Sequence, residues 1–257
     1  MTRAEQTCSC GRLRLSRLLM AHDLVTKPPP EGLEGFRHRG REVTRLEGFS
    51  DAVFGFALTI LVVSLDVPKS FDALLNTMRG FPAFAVCFGL LVLIWNSHYK
   101  FCRRYGLDDG FTRFLTCVLL FLVLFYVYPL KFLFNFSFNG LAGGTGPATP
   151  AITNQQASML LVIYGLGFAA VYLALLFLYL HAYHLRAALD LSLLEQLDTR
   201  FAIYRMGSLV GVGLFAAAAA WWNWFGGWGG LLYLTLFPIL RFMRIWQSRL
   251  RAPLLIR

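Results

Sequence analysis

The chain has 257 residues, 57% of them hydrophobic and 15% charged, with a formal net charge of +10 and a mean hydropathy of +0.56. A soluble domain carries roughly a quarter charged residues, so this composition excludes an ordinary water-soluble protein. The positive charge fits either nucleic acid or a membrane surface, and its placement along the chain decides for the membrane and against nucleic acid.

Residues 1–44 are Arg-rich and contain Pro28-Pro29-Pro30, the composition of a flexible basic cytosolic region. The apolar stretch around 18–20 is too short and too interrupted for a secretory signal. Of the five cysteines, Cys8 and Cys10 form the one close pair, while Cys87 and Cys117 lie inside apolar runs and Cys102 just beyond one. That spacing supports neither a disulfide framework nor a metal site.

Six apolar segments follow, at 50–65, 81–97, 114–130, 159–180, 206–222 and 229–242. About 20 apolar residues in a helix cross the hydrocarbon core, and lipid tolerates no unpaired backbone. The segments therefore predict an all-α membrane protein with six transmembrane helices in a single six-span repeat. The six-helix transmembrane domain covers 45–246 and a short basic tail covers 247–257. The first segment is slightly short and is expected to extend past Phe49 into the interface. The last two are separated only by a Gly/Trp-rich turn at 223–228, a helical hairpin. Dyad alternation of the barrel type is absent.

Lys and Arg are distributed unevenly between alternate compartments: 21 lie on the side of the termini and 3 on the other. Positive charge stays in the cytosol, so both termini are predicted cytosolic. The Trp cluster at Trp221, Trp222, Trp224 and Trp228 falls at the opposite face, where indoles anchor at an interface.

The first span opens with Arg45-Leu46-Glu47-Gly48-Phe49-Ser50-Asp51. Ser50 or Asp51 reads either as a helix cap or as a polar group brought to membrane depth for function. Phe56, Thr59, Ile60 and Val63 share one helical stripe. The second span ends with Trp95 and His98 on one side, near the same membrane face as Asp51. His181 and His184 close the fourth span as interface residues. Gly207 and Gly211, followed by Gly213 and Ala217, form a small-xxx-small face of the kind that lets helices approach closely. No Gly-x-Ser-x-Gly, His-Glu-x-x-His or Walker loop occurs, and no Thr-Val-Gly-Tyr-Gly filter. An enzyme and an ordinary potassium-channel pore are thereby excluded.

The opening of the first span resembles the Arg-x-x-x-Phe-Ser-Asp signature of prokaryotic homologues of transmembrane protein 175, potassium-permeable channels without the usual filter. Ala52-Val53-Phe54, Leu58 through Val63 and Asp66-Val67-Pro68 extend the likeness, as do Trp95, His98, the basic stretch 100–104 and Asp108. The resemblance implies a homotetramer whose first spans line a central pore, with potassium as the permeating ion and no cofactor. It places apolar constriction rings at Phe56, Ile60 and Val63, with the Thr59 hydroxyl beside them. It assigns Arg45, Phe49, Ser50 and Asp51 to a polar network bracing the pore helix, with Trp95 and His98 as partners. Phe56 departs from the Ile or Leu usual at the first ring. The expected function is a passive potassium-permeable cation channel of the cytoplasmic membrane. A proton-permeable channel using Asp51 and His98, a secondary transporter and a purely structural membrane subunit stand as alternatives.

Overall fold

The computed structural model describes residues 36–40, 42–63, 70–71, 74–75, 78, 81–141, 153–222 and 235–255. Six long helices account for most of them: α1 (Arg45–Val63), α2 (Phe81–Tyr105), α3 (Gly110–Leu141), α4 (Asn154–His184), α5 (Leu193–Trp221) and α6 (Leu236–Leu255). The described residues from Arg39 onward belong to one compact unit. Four helices, α2 to α5, are long and apolar enough to cross a membrane by themselves. The all-helical expectation holds. The turn expected at 223–228 and the side chain of Val63 lie outside the described residues.

Helix boundaries follow local chemistry. Thr44 caps α1, its hydroxyl accepting the Glu47 amide at 3.1 Å, so the cap is neither Ser50 nor Asp51; both sit in the second turn, where their side chains serve other contacts. Gly106 ends α2 with φ +59°, the left-handed conformation that glycine adopts without steric cost. Asp109 caps α3 by accepting the Phe111 amide at 3.2 Å and the Thr112 hydroxyl. Thr153 with Gln156 and Ser192 with Glu195 form capping boxes at the starts of α4 and α5, each satisfying two amide donors.

The helices exceed the predicted spans. α3 runs on to Leu141, and α6 continues through the region expected as a basic tail as far as Leu255. At about 1.5 Å per residue, the 29 to 32 residues of α3, α4 and α5 project beyond a hydrocarbon core of roughly 30 Å.

The most extensive pairing is α4 against α5, and its closest point is glycine on glycine. A β-carbon on Gly165 would stand 2.8 Å from the Gly213 carbonyl oxygen and 2.9 Å from Ala217. Gly207 and Gly211 have no such neighbour, so the tight crossing falls on the Gly213–Ala217 part of the small-residue face. The core joins α2, α4 and α5 through aromatic groups. The Tyr105 hydroxyl meets Thr199 at 2.8 Å, and Tyr179 donates to the Ser97 carbonyl at 3.1 Å. Buried hydroxyls must find partners, and here the partner is the neighbouring helix each time.

Candidate functional site

α1 packs on one side only. Glu47, Ser50, Phe54, Ala57 and Leu61, spaced at three and four residues, are all buried; this stripe faces α2 and α3. Gly48, Phe49, Ala52, Gly55, Phe56, Thr59 and Val62 occupy the opposite side and are exposed, Phe56 at 59%. A β-carbon at Gly48 or Gly55 would meet nothing within 4 Å. Of the four residues of the expected pore stripe, Phe56 and Thr59 lie on this open face and Ile60 at its margin. The Thr59 hydroxyl donates to the Gly55 carbonyl at 2.9 Å, which spends its proton on the helix and leaves its oxygen as an acceptor.

The polar residues at the head of α1 are tied to α2. The Trp95 indole N–H donates to Asp51 Oδ1 at 2.7 Å, a charge-assisted contact on a carboxylate that is otherwise exposed. Trp95 stacks on Tyr99 with centroids 5.5 Å apart. The Arg103 guanidinium lies 5.5 Å from the Tyr99 ring centroid, and Arg103 Nε stands 3.4 Å from Oε1 of the buried Glu47. Glu47 and Asp51 are one turn apart on α1, while Trp95, Tyr99 and Arg103 are successive turns of α2. The two stripes therefore close a circuit between the helices.

Arg103 also reaches the segment that leads into α1. Its Nη1 donates to the Gly40 carbonyl at 3.0 Å, and its own carbonyl accepts the Gly40 amide at 3.2 Å. A β-carbon on Gly40 would fall 2.6 Å from the Cys102 carbonyl oxygen, which explains a glycine there. Next to it, Arg39 donates to both oxygens of Glu195, at 3.1 and 2.9 Å, and to the carbonyls of Leu189 and Asp190. The chain just ahead of α1 is thus pinned to the end of α2 and to the α4–α5 connection.

The remaining signature residues divide. Ser50 is fully buried and donates to the Leu46 carbonyl at 2.8 Å. Phe49 is 55% exposed. Arg45 is exposed, without a partner among the described residues. His98, expected beside Asp51, is buried between helices: its ring lies 6.4 Å from that of Phe54 and its Nε2 is 3.5 Å from the Thr116 hydroxyl. Of the two expected partners, Trp95 makes the hydrogen bond to Asp51.

A second polar cluster lies where α3 begins and α4 ends, with Asp109 just ahead of the α3 span. His181 Nε2 meets Asp109 Oδ2 at 3.0 Å, and its ring packs on Phe111 with centroids 4.7 Å apart. Burial works against ionisation of Asp109, but the Thr112 hydroxyl and His181 outweigh it and hold the carboxyl below its ordinary value of 3.8. Among the described residues no group of three or more His, Cys, Asp or Glu is placed to hold a metal ion.

Glu47, Tyr99, Arg103, Arg39 and Gly40 were absent from the residues singled out in the sequence. Their signals are present in it: Thr44-x-x-Glu47 has the capping-box spacing, and Trp95, Tyr99 and Arg103 recur every four residues.

Residues 45–126 match the family described as endosomal/lysosomal potassium channel TMEM175. A potassium channel of Marivirga tractuosa is 41% identical over 174 residues, covering 65% of this chain and 70% of that protein. A potassium channel of Chamaesiphon minutus is 29% identical over 100 residues, 36% of this chain and about half (49%) of that relative. Among solved structures, a variant of the potassium channel MtTMEM175, crystallised with a nanobody–MBP fusion protein, superposes with a TM-score of 0.72. It is 35% identical, and the match covers 85% of this chain and 97% of that one. A TMEM175 homologue from Chamaesiphon minutus, described as a lysosomal potassium-selective channel, shares the fold at a TM-score of 0.51 and 21% identity, over 79% of this chain and 96% of that one.

Proposed function

The chain belongs to the TMEM175 potassium-channel family, and on that premise we propose that it is a passive, potassium-permeable cation channel whose pore is lined by α1 of each subunit. The observation that carries this reading is the one-sided packing of α1. A helix with two exposed ionisable residues in its first two turns, Arg45 and Asp51, is a poor lipid-facing element, yet half its circumference is left open by its own chain. Symmetry mates of the same helix cover that face in a homotetramer, with Gly48, Ala52 and Gly55 permitting close approach.

In this arrangement Phe56, Ile60 and Val63 form successive apolar rings, and Thr59 offers hydroxyl oxygens beside them. Ions part with some of their water at the rings, so selectivity follows the ease of dehydration rather than a full set of replacement ligands. Four Phe56 faces also present negative quadrupole density to a cation that has lost water. Asp51, Trp95, Arg103 and Glu47 brace each α1 against α2 and keep the rings in register. The asymmetry of Lys and Arg supports a location in the cytoplasmic membrane with both termini cytosolic.

Purified protein in proteoliposomes tests the proposal. A potassium gradient drives flux without a counter-substrate, and the reversal potential favours potassium over sodium and protons. Ile60→Asn alters permeation if the stripe lines the pathway. Unchanged flux and selectivity in an assembled Ile60→Asn protein removes the stripe from the pore.

A further inference from the structure

α6 is held to α5 by one side of its surface. Asp198 of α5, 2% exposed, accepts Gln247 Nε2 at 2.9 Å and Arg251 Nη2 at 2.7 Å. One turn earlier, Met243 Sδ lies 3.8 Å from the Ser208 hydroxyl. Met243, Gln247 and Arg251 are successive residues of an i, i+4 stripe, so the contacts fix the rotation of the helix. The opposite side then carries Arg241, Ile245 and Arg249, with Phe242 at one edge and Arg244 at the other, beside the contact stripe; all five are exposed. Phe242 is 66% exposed.

The same contacts set the depth of that face. They place 243–251 beside 198–208, the N-terminal half of α5, whose first turns hold Glu195, Gln196, Asp198, Arg200 and Arg205. Hydrocarbon excludes such a density of charge, and an aqueous surface does not favour an exposed Phe242 and Ile245. Arginines interleaved with aromatic and aliphatic side chains suit the boundary, where the guanidinium snorkels toward phosphate while its stem and neighbours stay in the acyl region. No acidic residue occurs anywhere in α6, and Arg241, Arg244 and Arg249 have no carboxylate partner among the described residues.

We propose that the outer face of α6, formed by Arg241, Ile245 and Arg249 with Phe242 and Arg244 at its edges, is a binding surface for anionic phospholipid headgroups. A guanidinium takes a phosphate oxygen pair bidentately, and a headgroup of net negative charge leaves that attraction uncancelled, unlike a zwitterionic one. The proposal rests on the membrane reading of the fold and is independent of conduction.

Native mass spectrometry of the full chain equilibrated with equimolar phosphatidylglycerol and phosphatidylcholine tests it. The expected result is preferential retention of phosphatidylglycerol, with about a tenfold loss of that preference in Arg241→Gln/Arg244→Gln/Arg249→Gln, as several near-surface cations act together. The variant keeps the Asp198 contacts, and an unchanged elution profile and melting temperature verify its fold. Equal retention of the two lipids by the wild type overturns the proposal, as does an unchanged preference in the folded variant. Displacement of phosphatidylglycerol by soluble pyrophosphate at equal concentration reassigns the surface to a soluble polyanion and also overturns it. Potassium flux measured in phosphatidylcholine vesicles is scored separately: its absence beside intact lipid preference defeats the channel reading and leaves this one standing.

Discussion

Arg39 and Glu195, 156 residues apart in the chain, meet through two hydrogen bonds of 3.1 and 2.9 Å. Glu195 is almost completely buried and Arg39 is 18% exposed, so the pair lies largely out of water. The contact joins the segment entering α1 to the start of α5, and it makes the head of α1 dependent on the α4–α5 connection.

Removing one partner of such a pair leaves the other charged and desolvated. Arg39→Ala is expected to destabilise the fold by about 3 kcal/mol, read as a fall in melting temperature of the purified protein. Arg39→Ala combined with Glu195→Gln restores part of the loss, because the neutral amide still accepts the Ser192 amide at the α5 cap. A double variant no more stable than Arg39→Ala denies the charge a role. Gly40→Ala disrupts the same strap sterically, through its contact with the Cys102 carbonyl.

The Trp95–Asp51 bond yields a coupling. Trp95→Phe keeps a ring for Tyr99 but loses the indole donor, and is expected to cost about 1 kcal/mol. Asp51→Asn retains an acceptor oxygen and costs less. In Asp51→Ala, the further change Trp95→Phe has little additional effect on melting temperature. Additive losses across that double-mutant cycle mean that the two side chains act separately.

Phe56 has a different expectation. It is 59% exposed on its own chain, so Phe56→Ile leaves the stability of the individual subunit nearly unchanged. Its effect falls on conduction, as altered single-channel conductance or potassium-to-sodium permeability ratio. A variant with wild-type currents takes Phe56 out of the ion path.

The α3 cap carries a pH signature. The depressed carboxyl of Asp109 means that its contribution to stability is complete above the unfolded value of 3.8. It is lost only as pH falls through the lower value in the folded state. Asp109→Asn is therefore less stable than wild type at pH 5 to 7, and the two converge once the pH has fallen through the lowered value of the folded carboxyl. A gap between them that persists at lower pH shows that the carboxylate charge is not what stabilises the cap.

The architecture was legible because hydrocarbon imposes a one-dimensional rule. A chain that must hide every backbone dipole and nearly all charge writes its helices as uninterrupted apolar runs, and α2 to α5 could be read from hydropathy alone. Helical spacing put Phe56 and Thr59 on one stripe, and both lie on the open side of α1 with Ile60 at its margin, but which half of the helix its own chain would cover was not written in that spacing. The contacts of the polar residues were not legible either, because a buried charge is satisfied by whichever group tertiary packing brings to it. Helical spacing put Trp95 and His98 on one side of α2. Only the crossing of α1, α2 and α3 sent Trp95 to Asp51 and His98 into the gap beside Phe54 and Thr116. Likewise Glu47 and Arg103, or Arg39 and Glu195, look in sequence like unrelated charges in separate segments. Their pairing was decided by the fold, because electrostatic partners are chosen by distance in space while sequence records distance along the chain.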